Sequence, residues 1–292
     1  MKTKKRTLAL ACLCAATLFS SLVVLPACDN QAFEDSTPPN VEESLPETDS
    51  SSDTILPEVP ETPVVPETPP QVETPAPTPQ PQYAQYIRCT GDNVNLRSGA
   101  GTQYSILGQA EKGTSYVILE KKGDWYKTYY RNKIAYVYAS YASVFTMEKS
   151  ENDAVEDVIA EGYKLMGVPY VYGAVRLHDG YGNFLGGFTT QKFDCSSLVQ
   201  YVFYQGADKL LQTTTRTQVR QGKYVHPDDL QRGDCIYFTN EDRKYNTGIE
   251  RVGHVAIYLG DNYILHTASD YARIEKMSTY RWNQYIEARR FL

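Results

Sequence analysis

The sequence predicts an α+β domain in its C-terminal half, preceded by a small all-β barrel. Short runs of alternating apolar and polar residues, separated by glycines, fill the stretch from Tyr86 to about Met147, a pattern typical of an antiparallel barrel. Beyond this stretch, apolar residues at helical spacing come first and β-like runs come later, which is the order expected when N-terminal helices pack on an antiparallel sheet. All 24 tyrosines lie from Tyr83 onward, so packing is predicted to begin there.

Residues 1–27 are predicted to be an export signal. A basic start precedes the apolar run LALACLCAATLF and a small-residue end, LPAC, which are the three regions of a signal peptide. The LPAC stretch resembles the lipobox of bacterial lipoproteins, although Pro26 replaces the usual small residue, and this resemblance implies lipidation of Cys28. The expected location is therefore the cell envelope, outside the cytoplasm, with a lipid anchor in a membrane. A plain secretory signal and an uncleaved membrane anchor are the alternatives.

Residues 28–82 are predicted to form a disordered stalk. This region holds 13 of the 16 prolines, together with many Glu, Thr, Ser and Val residues. Residues 29–82 carry 12 acidic and no basic residues, a composition that cannot form a packed core. The net charge of −6 for the whole chain therefore reflects the stalk, because 23 acidic and 25 basic residues remain from Tyr83 onward. That near balance gives no indication of nucleic-acid binding, and we expect a monomer.

Residues 83–148 resemble the bacterial SH3-like domain. The segment NLRSGAG from Asn95, the turn Lys112-Gly113 and the segment GDWYK from Gly123 match its recurring features in order. The resemblance implies a module that binds cell wall or shapes a neighbouring active site. A structural spacer is the alternative, since the aromatic residues could form the core of the barrel.

The region 149–292 contains two predicted helices and four predicted strands. Ser150 and Asp153 suit a capping-box-like start for the first helix, which Gly167 and Pro169 should end. The second helix lies in QKFDCSSLVQYVF and begins near Cys195. The expected strands are residues 235–238, 252–259, 263–267 and 286–291.

Cys195 is the cysteine with the most informative surroundings. Beyond the stalk only Cys89, Cys195 and Cys235 remain, and three cysteines cannot all pair within one chain. Cys235, in DCIYF, suits a buried aliphatic position, and a disulfide between Cys89 and Cys235 stays open. Asp194 or a neighbour can cap the helix that begins near Cys195. A helix N-terminus lowers the pKa of a thiol and supplies backbone N–H groups for an oxyanion, so Cys195 is predicted to be a nucleophile.

Two of the four histidines lie in strand-like runs that a short turn connects. His254 is in RVGHVAIYLG and His266 in YILHTAS, with Gly260, Asp261 and Asn262 between them. Antiparallel strands joined in this way would bring the two rings together if register and face agree. Taken singly, each histidine fits a polar residue at a sheet surface. With a cysteine they supply the base and the orienting partner that thiol hydrolysis needs.

Five segments, in order, resemble the NlpC/p60 cell-wall cysteine peptidases, which have a papain-like α+β fold. They are GVPYVYG, FDCSSLVQYVF, LQRGDCIYF, VGHVAIYLG and YILHTAS. The resemblance implies Cys195 as nucleophile, His254 as general base and His266 as orienting residue, with Tyr170 as the active-site tyrosine. It also implies that peptidoglycan stem peptides are cleaved between the γ-carboxyl of D-Glu and the diamino acid. No cofactor and no metal ion are expected, because no further cysteine or histidine cluster is present.

Three substrate-binding residues are also implied by the resemblance. Relatives with an SH3-like domain use the Asp before the nucleophile and the Ser after it to bind the free amine of L-Ala, which gives this role to Asp194 and Ser196. The competing interpretation makes Asp194 only a helix cap. Arg216 matches a stretch that borders the site, or it is a solvated loop charge. Ser197 and Ala174 replace glycines of the family pattern, and an unusual insert, 175–192, should border the cleft.

Two other functions remain open at this stage. The first is a wall-binding lipoprotein whose peptidase-like domain only holds the stem peptide, although such a module does not need a nucleophile and a base. The second is an N-acetylmuramoyl-L-alanine amidase or an acyl-transfer enzyme on the same fold.

Overall fold

The structure is a computed structural model that describes residues 80–292. The expected signal peptide (1–27), the expected lipidation site at Cys28 and nearly all of the expected stalk lie outside the described residues. Within residues 80–292, no helix is both long and apolar enough to cross a bilayer. The described residues belong to one compact unit, Glu73–Leu292.

The SH3-like region consists of eight short strands. They are β1 (Tyr83–Cys89), β2 (Val94–Arg97), β3 (Ile106–Ala110), β4 (Ser115–Val117), β5 (Glu120–Lys122), β6 (Trp125–Tyr130), β7 (Lys133–Tyr138) and β8 (Ala142–Glu148). Five of them form a sheet in the order β3-β2-β7-β6-β5. A two-residue turn joins β6 to β7 through Arg131 and Asn132, whose φ angles are 50° and 60°. Positive φ at both positions suits the twist of a two-residue hairpin.

The remaining region combines four helices with six strands. The helices are α1 (Asp153–Lys164), α2 (Cys195–Ala207), α3 (Thr215–Gln218) and α4 (Thr279–Asn283). The strands are β9 (Lys223–Val225), β10 (Cys235–Phe238), β11 (His254–Gly260), β12 (Tyr263–Ala268), β13 (Tyr271–Lys276) and β14 (Tyr285–Arg290). The four predicted strands correspond to β10, β11, β12 and β14, whereas β9 and β13 were not predicted. The α+β prediction is confirmed by this arrangement.

The start of α1 differs from the sequence-based prediction. Its N-cap is Asn152, whose side-chain oxygen accepts the N–H of Ala154, rather than Ser150 or Asp153. The helix packs closely on α2, because a Cβ added at Gly206 would lie 2.4 Å from the backbone nitrogen of Val158. The glycine therefore allows the two helices to approach at that point, and α2 is held against the sheet on its other side, where Leu198, Val199 and Val202 are fully buried.

One sheet runs through both regions. Its nine strands follow the order β8-β1-β4-β13-β12-β11-β10-β14-β9, so three strands of the SH3-like region continue the sheet that carries the two candidate histidines. The connection is the antiparallel pairing of Ile274 on β13 with Ser115 on β4. The sequence predicted a barrel that precedes the second domain, and the structure adds that the two share a sheet and a hydrophobic core.

A buried arginine connects the helices to this sheet. Arg232 donates to both carboxylate oxygens of Glu156 on α1, at 2.6 and 3.1 Å, and to the Tyr163 hydroxyl at 2.9 Å. It also donates to the hydroxyl of Tyr86 on β1 at 3.1 Å and to the carbonyl of Leu259 on β11 at 2.9 Å. Because all these partners are polar and the side chain is only 5% exposed, the charge is compensated inside the core.

Candidate active site

Cys195 is the first residue of α2, and the turn before it fixes its position. The Asp194 carboxylate accepts the Ser197 N–H at 2.8 Å, and the Ser197 hydroxyl oxygen accepts the Asp194 N–H at 2.9 Å. These reciprocal bonds are a capping box, so the prediction that Asp194 caps this helix is confirmed. Cys195 is 8% exposed and lies in the wall of a cavity of about 350 Å³, here called the Cys195 cavity.

The thiol of Cys195 is not acidic in the substrate-free protein. Burial, followed by the Asp194 carboxylate, raises the pKa of Cys195 to about 12, against the opposing effect of the backbone N–H groups of Val255 and Ser196. The N–H group of Ser196 at the helix end does lower this pKa, as expected, but desolvation of the thiolate outweighs it, so the net shift is upward. Ionisation of the thiol must depend on a base that takes its proton.

The base candidate lies on the strand next to the thiol. Val255, whose N–H interacts with the Cys195 sulfur, directly follows His254, the first residue of β11. Nε2 of His254 lies 3.0 Å from Nδ1 of His266 on β12. The sequence left the register of these strands open, and the structure pairs Ile257 with Leu265, which brings both histidine rings to the same face.

A carboxylate completes this row of polar groups. Oε1 of Glu275, on β13, lies 3.0 Å from Nε2 of His266. Burial raises the pKa of Glu275, but the hydrogen bond and charge of His266, together with Arg281 and Arg273, lower it to about 2. Glu275 is thus ionised at neutral pH. The sequence analysis missed this residue, and the alternation of buried and half-exposed residues in YARIEK was the available signal for its strand.

The ionised carboxylate determines which ring nitrogens carry protons. A carboxylate only accepts hydrogen bonds, so Nε2 of His266 must hold a proton. Burial lowers the pKa of both His254 and His266, so both rings are neutral and Nδ1 of His266 is an acceptor. Nε2 of His254 therefore donates to it, which leaves the lone pair of His254 on Nδ1. The assigned tautomers make Nδ1 the nitrogen that can take a proton from Cys195.

The remaining predicted site residues lie together around the Cys195 cavity. Tyr170, Asp194, Ser196 and Arg216 all contribute to its wall, whereas the two histidines are buried and do not line it. Burial, followed by the charges of Cys195 and Asp194, raises the pKa of Tyr170 to about 12, so its hydroxyl is a neutral donor. Arg216 is the second residue of α3 and forms an ion pair of 3.4 Å with Glu250.

The Asp194 carboxylate is already occupied by an arginine that the sequence analysis did not single out. Arg176, in the insert 175–192, places Nη2 at 2.8 Å from Oδ2 of Asp194. The same nitrogen donates to the Ser196 hydroxyl at 3.1 Å. No spacing rule identifies Arg176, because its position depends on the conformation of a long loop.

Other titratable residues lie away from the site or are not clustered. Of the two further histidines, His178 is buried in the insert and His226 is exposed beside β9. Cys89 and Cys235 are buried free thiols, so the disulfide that the sequence left open is not formed. Within residues 80–292, no group of three or more His, Cys, Asp or Glu side chains could hold a metal ion.

Comparison with known proteins connects both regions to named families. Residues 167–290 match the NlpC/P60 family model, and residues 92–143 match the model of the bacterial SH3 domain. The γ-DL-glutamyl hydrolase of Bacillus subtilis is 35% identical over 126 residues, which cover 43% of this chain and 26% of that protein. The peptidoglycan endopeptidase RipB of Mycobacterium tuberculosis is 32% identical over 121 residues, which cover 41% of this chain and 46% of RipB.

One solved structure matches a larger part of the chain. The crystal structure of an NlpC/P60 family protein from Bacillus cereus has a TM-score of 0.38 and 22% sequence identity, and the match covers 72% of this chain and 64% of that one. The chain covers 26% of the length of the γ-DL-glutamyl hydrolase and 46% of the length of RipB.

Proposed function

We propose that this chain, in which an NlpC/P60 domain follows a bacterial SH3 domain, is a peptidoglycan hydrolase that cleaves stem peptides with Cys195 as nucleophile. The bond proposed is the one between the γ-carboxyl of D-Glu and the diamino acid. The names of the relatives, a γ-DL-glutamyl hydrolase and a peptidoglycan endopeptidase, support this substrate class. The observation that carries the proposal is the hydrogen-bonded row from Glu275 through His266 to His254, the residue before Val255, whose N–H contacts the Cys195 sulfur.

The first half of the proposed reaction forms a thioester. Nδ1 of His254 takes the thiol proton while the Cys195 sulfur attacks the carbonyl carbon, and the π electrons of the carbonyl move to its oxygen. The Cys195 N–H at the start of α2 and the Tyr170 hydroxyl are the donors proposed for this oxyanion. The imidazolium of His254 then protonates the leaving amine as the C–N bond breaks. Because proton transfer makes the thiolate and the imidazolium together, neither charge is buried alone.

The second half restores the thiol. A water molecule attacks the thioester carbonyl while His254 takes one of its protons, and the carbon–sulfur bond breaks when the second tetrahedral intermediate collapses. The proton on His254 returns to Cys195, and the peptide leaves with a new carboxyl group. His266 holds the ring of His254 throughout, so the same nitrogen serves as base and then as acid in both halves.

The charges of the Cys195 cavity suit an acidic peptide. Arg216 and Arg243 both contribute to its wall and share the exposed carboxylate of Glu250, at 3.4 and 3.1 Å. Since exposed ion pairs of this kind contribute little stability, a carboxylate of the substrate can replace Glu250. We assign Arg216 this substrate-binding role, while the polar groups of Asp194 and Ser196 line the cavity on the side of the insert.

The proposed setting of the enzyme is the cell envelope. Lipidation of Cys28 would anchor the chain to a membrane, and the stalk over residues 28–82 would carry a monomeric catalytic unit into the wall. Replacement of Cys28 by Ala should release the protein from the membrane fraction into the medium. Retention of this variant in the membrane would contradict the anchor.

The test of the function is mass spectrometry of stem peptides incubated with the unit Glu73–Leu292 and with its Cys195→Ala variant. Release of the L-Ala-D-Glu dipeptide by the unmodified unit alone is expected. Release of the whole stem peptide from its sugar would identify an N-acetylmuramoyl-L-alanine amidase instead. Binding without cleavage by either protein would contradict the hydrolase and support the wall-binding lipoprotein.

A further inference from the structure

We propose that Glu275 is a positioning residue of this site, because it selects the tautomer in which His254 can accept the proton of Cys195. The catalytic part of this inference rests on the proposed function. The structural part concerns proton positions in the free protein and needs no substrate. Glu275, His266 and His254 are called the histidine row below.

The row is built from three neighbouring strands. Glu275 lies on β13, His266 on β12 and His254 on β11, and each of the two contacts between them measures 3.0 Å. His266 is 2% exposed and His254 is 6% exposed, so water does not compete for these bonds. The Glu275 side chain is 33% exposed, which places the charged end of the row at the edge of the buried region.

The two histidines alone would allow two opposite proton arrangements. In one arrangement, Nε2 of His254 donates to Nδ1 of His266, and the lone pair of His254 is on Nδ1. In the other, Nδ1 of His266 donates to Nε2 of His254, so Nδ1 of His254 carries a proton and cannot act as a base. Both arrangements keep the bond between the rings, and only an acceptor at Nε2 of His266 distinguishes them. An ionised carboxylate is such an acceptor.

The charge of Glu275 also balances the cations that face the row. Arg281, on α4, lies 3.6 Å from Oε1 of Glu275, and Arg273 lies on the same face of β13. Burial lowers the pKa of His254 most, followed by the positive charge that His266 carries when it is protonated and by the charge of Arg281. Without the carboxylate, these arginines would be unopposed, and the imidazolium that the reaction requires would be less stable.

The SH3-like region supports the strand that carries Glu275. Strand β13 lies between β12 and β4, where Ile274 pairs with Ser115. Arg273, next to this pair, reaches Glu111 of the SH3-like region at 3.5 Å. The SH3-like region thus contributes to the site through the position of β13, although none of its residues lines the Cys195 cavity.

The test is Glu275→Gln, examined first without substrate. The rate of Cys195 alkylation by iodoacetamide is measured against pH, with the modified cysteine identified by peptide mass spectrometry. The glutamine side chain has nearly the same shape as the glutamate but no charge, and its amide can donate as well as accept. We expect alkylation at neutral pH to fall about tenfold, because a weaker imidazolium leaves less thiolate paired with it.

Cleavage of stem peptides supplies the second measurement. For Glu275→Gln we expect kcat to fall about 10–100-fold, the range typical of residues that orient a site histidine, with KM unchanged. The acid limb of the pH profile should move to lower pH, because protonation of the row becomes less favourable. Glu275→Asp keeps the charge on a side chain that is shorter by one methylene. Its kcat should lie between those of the wild type and Glu275→Gln.

Glu111→Gln is the matched control, because it removes a carboxylate from the same junction without touching the row. It should leave the alkylation profile and kcat unchanged. A Glu275→Gln protein with the alkylation profile of the wild type would overturn the proposal, even if its melting temperature or its activity were lower. The alkylation experiment uses no stem peptide. Its result therefore still decides this proposal if the proposed function fails.

The insert supports a second inference from a different observation. We infer that Arg176 occupies the amine-binding position that the family resemblance implies at Asp194, so that this enzyme accepts stem peptides whose L-Ala amine is blocked. This inference also rests on the proposed function. It concerns the choice between peptides still attached to muramic acid and trimmed peptides with a free amine.

The carboxylate of Asp194 has no unused acceptor position. Oδ1 accepts the Ser197 N–H at 2.8 Å and the Ser196 hydroxyl at 3.1 Å. Oδ2 accepts the Gly173 N–H at 3.2 Å and pairs with Arg176 at 2.8 Å. Two bonds at each oxygen fill the usual capacity of a carboxylate, so an incoming ammonium group would have to displace one of these donors.

Arg176 is held too firmly to be the donor that leaves. Its Nε donates to the Thr213 carbonyl at 2.8 Å and its Nη1 to the Ala174 carbonyl at 2.6 Å, in addition to the contact with Asp194. The side chain is 18% exposed. An arginine that is buried to this degree and bonded along its whole guanidinium group neutralises Asp194 in the substrate complex as well as in the free protein.

Paired peptides test this inference. Stem tripeptides with a free L-Ala amine and with an acetylated one are compared for kcat/KM, and for binding to the Cys195→Ala variant by calorimetry. We expect a ratio near one for the wild type. For Arg176→Met, which removes the positive charge, we expect about a tenfold preference for the free amine, since Asp194 becomes available to an ammonium group.

Arg176→Lys is the control, and its retained charge should keep the wild-type ratio. A wild-type protein that cleaves or binds only the free-amine peptide would overturn the inference. If neither peptide is cleaved, the proposed function fails, and the calorimetric ratio still decides whether Arg176 excludes the amine.

Discussion

The candidate site has two halves that the chain builds in different ways. The helix half consists of residues 194–197, which are adjacent in sequence and are fixed by one capping box at the start of α2. The strand half is the histidine row, in which His254, His266 and Glu275 come from three strands. Local bonds thus position the proposed nucleophile, whereas long-range strand pairing positions the proposed base.

Neither half is ionised for the reaction by itself. Burial raises the pKa of Cys195 to about 12 in the helix half and lowers the pKa of His254 in the strand half. Desolvation therefore favours the neutral thiol and the neutral imidazole. Only proton transfer between the halves creates the thiolate and its imidazolium together.

The largest expected effect comes from removing either half. Cys195→Ala and His254→Ala should each lower kcat for stem-peptide cleavage by about 10⁴-fold, and the double variant should lower it no further, because residues that act as a unit are not additive. Cleavage rates of the three proteins check this. His226→Ala, at an exposed histidine, should retain full activity. A His254→Ala protein that keeps more than a tenth of the wild-type kcat would show that the Cys195 thiol does not need His254 as its base.

The helix half could largely be predicted from sequence, because its determinants are adjacent residues. Asp194, Cys195 and Ser197 lie within four positions of the chain, and a capping box depends only on that local order. The raised pKa of the thiol was not predictable in the same way. It results chiefly from burial in the folded domain, where β11 approaches the sulfur, and no local motif reveals that burial.

The strand half could be predicted only in part. The turn between β11 and β12 is short enough to bring His254 and His266 together, but the register had to come from the structure. Glu275 follows a second hairpin, and the alternation in YARIEK indicates a strand there but does not indicate which strands it pairs with. The pairing of β13 with β4 joins residues far apart in sequence, and no pattern within either strand indicates it.

The second prediction concerns the support that both halves share. Arg232 joins α1, which packs on α2, to Leu259 at the end of β11. Arg232→Met should lower the free energy of unfolding by about 3 kcal/mol, because the largely buried Glu156 carboxylate loses its charged partner. Urea denaturation measures this. Lys244→Met, at an exposed ion pair with Glu241, should leave the free energy of unfolding nearly unchanged. Equal effects of the two changes would show that the core ion pair supports neither half.

The third prediction separates the halves by pH. The pKa of Glu275 is lowered to about 2 in the folded protein, so its contribution is fully present above the unfolded-state value and is lost as the pH falls through 2. Since a third of the side chain is exposed and His266 is neutral, we expect about 1–2 kcal/mol rather than the full linkage value. The stability difference between the wild type and Glu275→Gln, from urea denaturation, should therefore shrink between about pH 5 and pH 2.

Cys195→Ala provides the contrast for the pH experiment. The thiol stays protonated throughout this acid range, because its pKa is raised to about 12, so the stability difference from the wild type should not depend on pH there. A pH-independent difference for Glu275→Gln as well would mean that the carboxylate is not ionised within the row.

The smallest expected effect is at the capping box. Ser197→Ala removes the hydroxyl that accepts the Asp194 N–H and should cost about 1 kcal/mol, or about 2–4 °C in melting temperature for a unit of this size. Ser143→Ala, at an exposed serine, should leave the melting temperature unchanged. If Ser197→Ala lowers the melting temperature but not kcat, the cap stabilises the helix half without directing the thiol. If kcat falls by more than the loss of folded protein can explain, the capping box also positions the Cys195 sulfur for the reaction, as the histidine row positions His254.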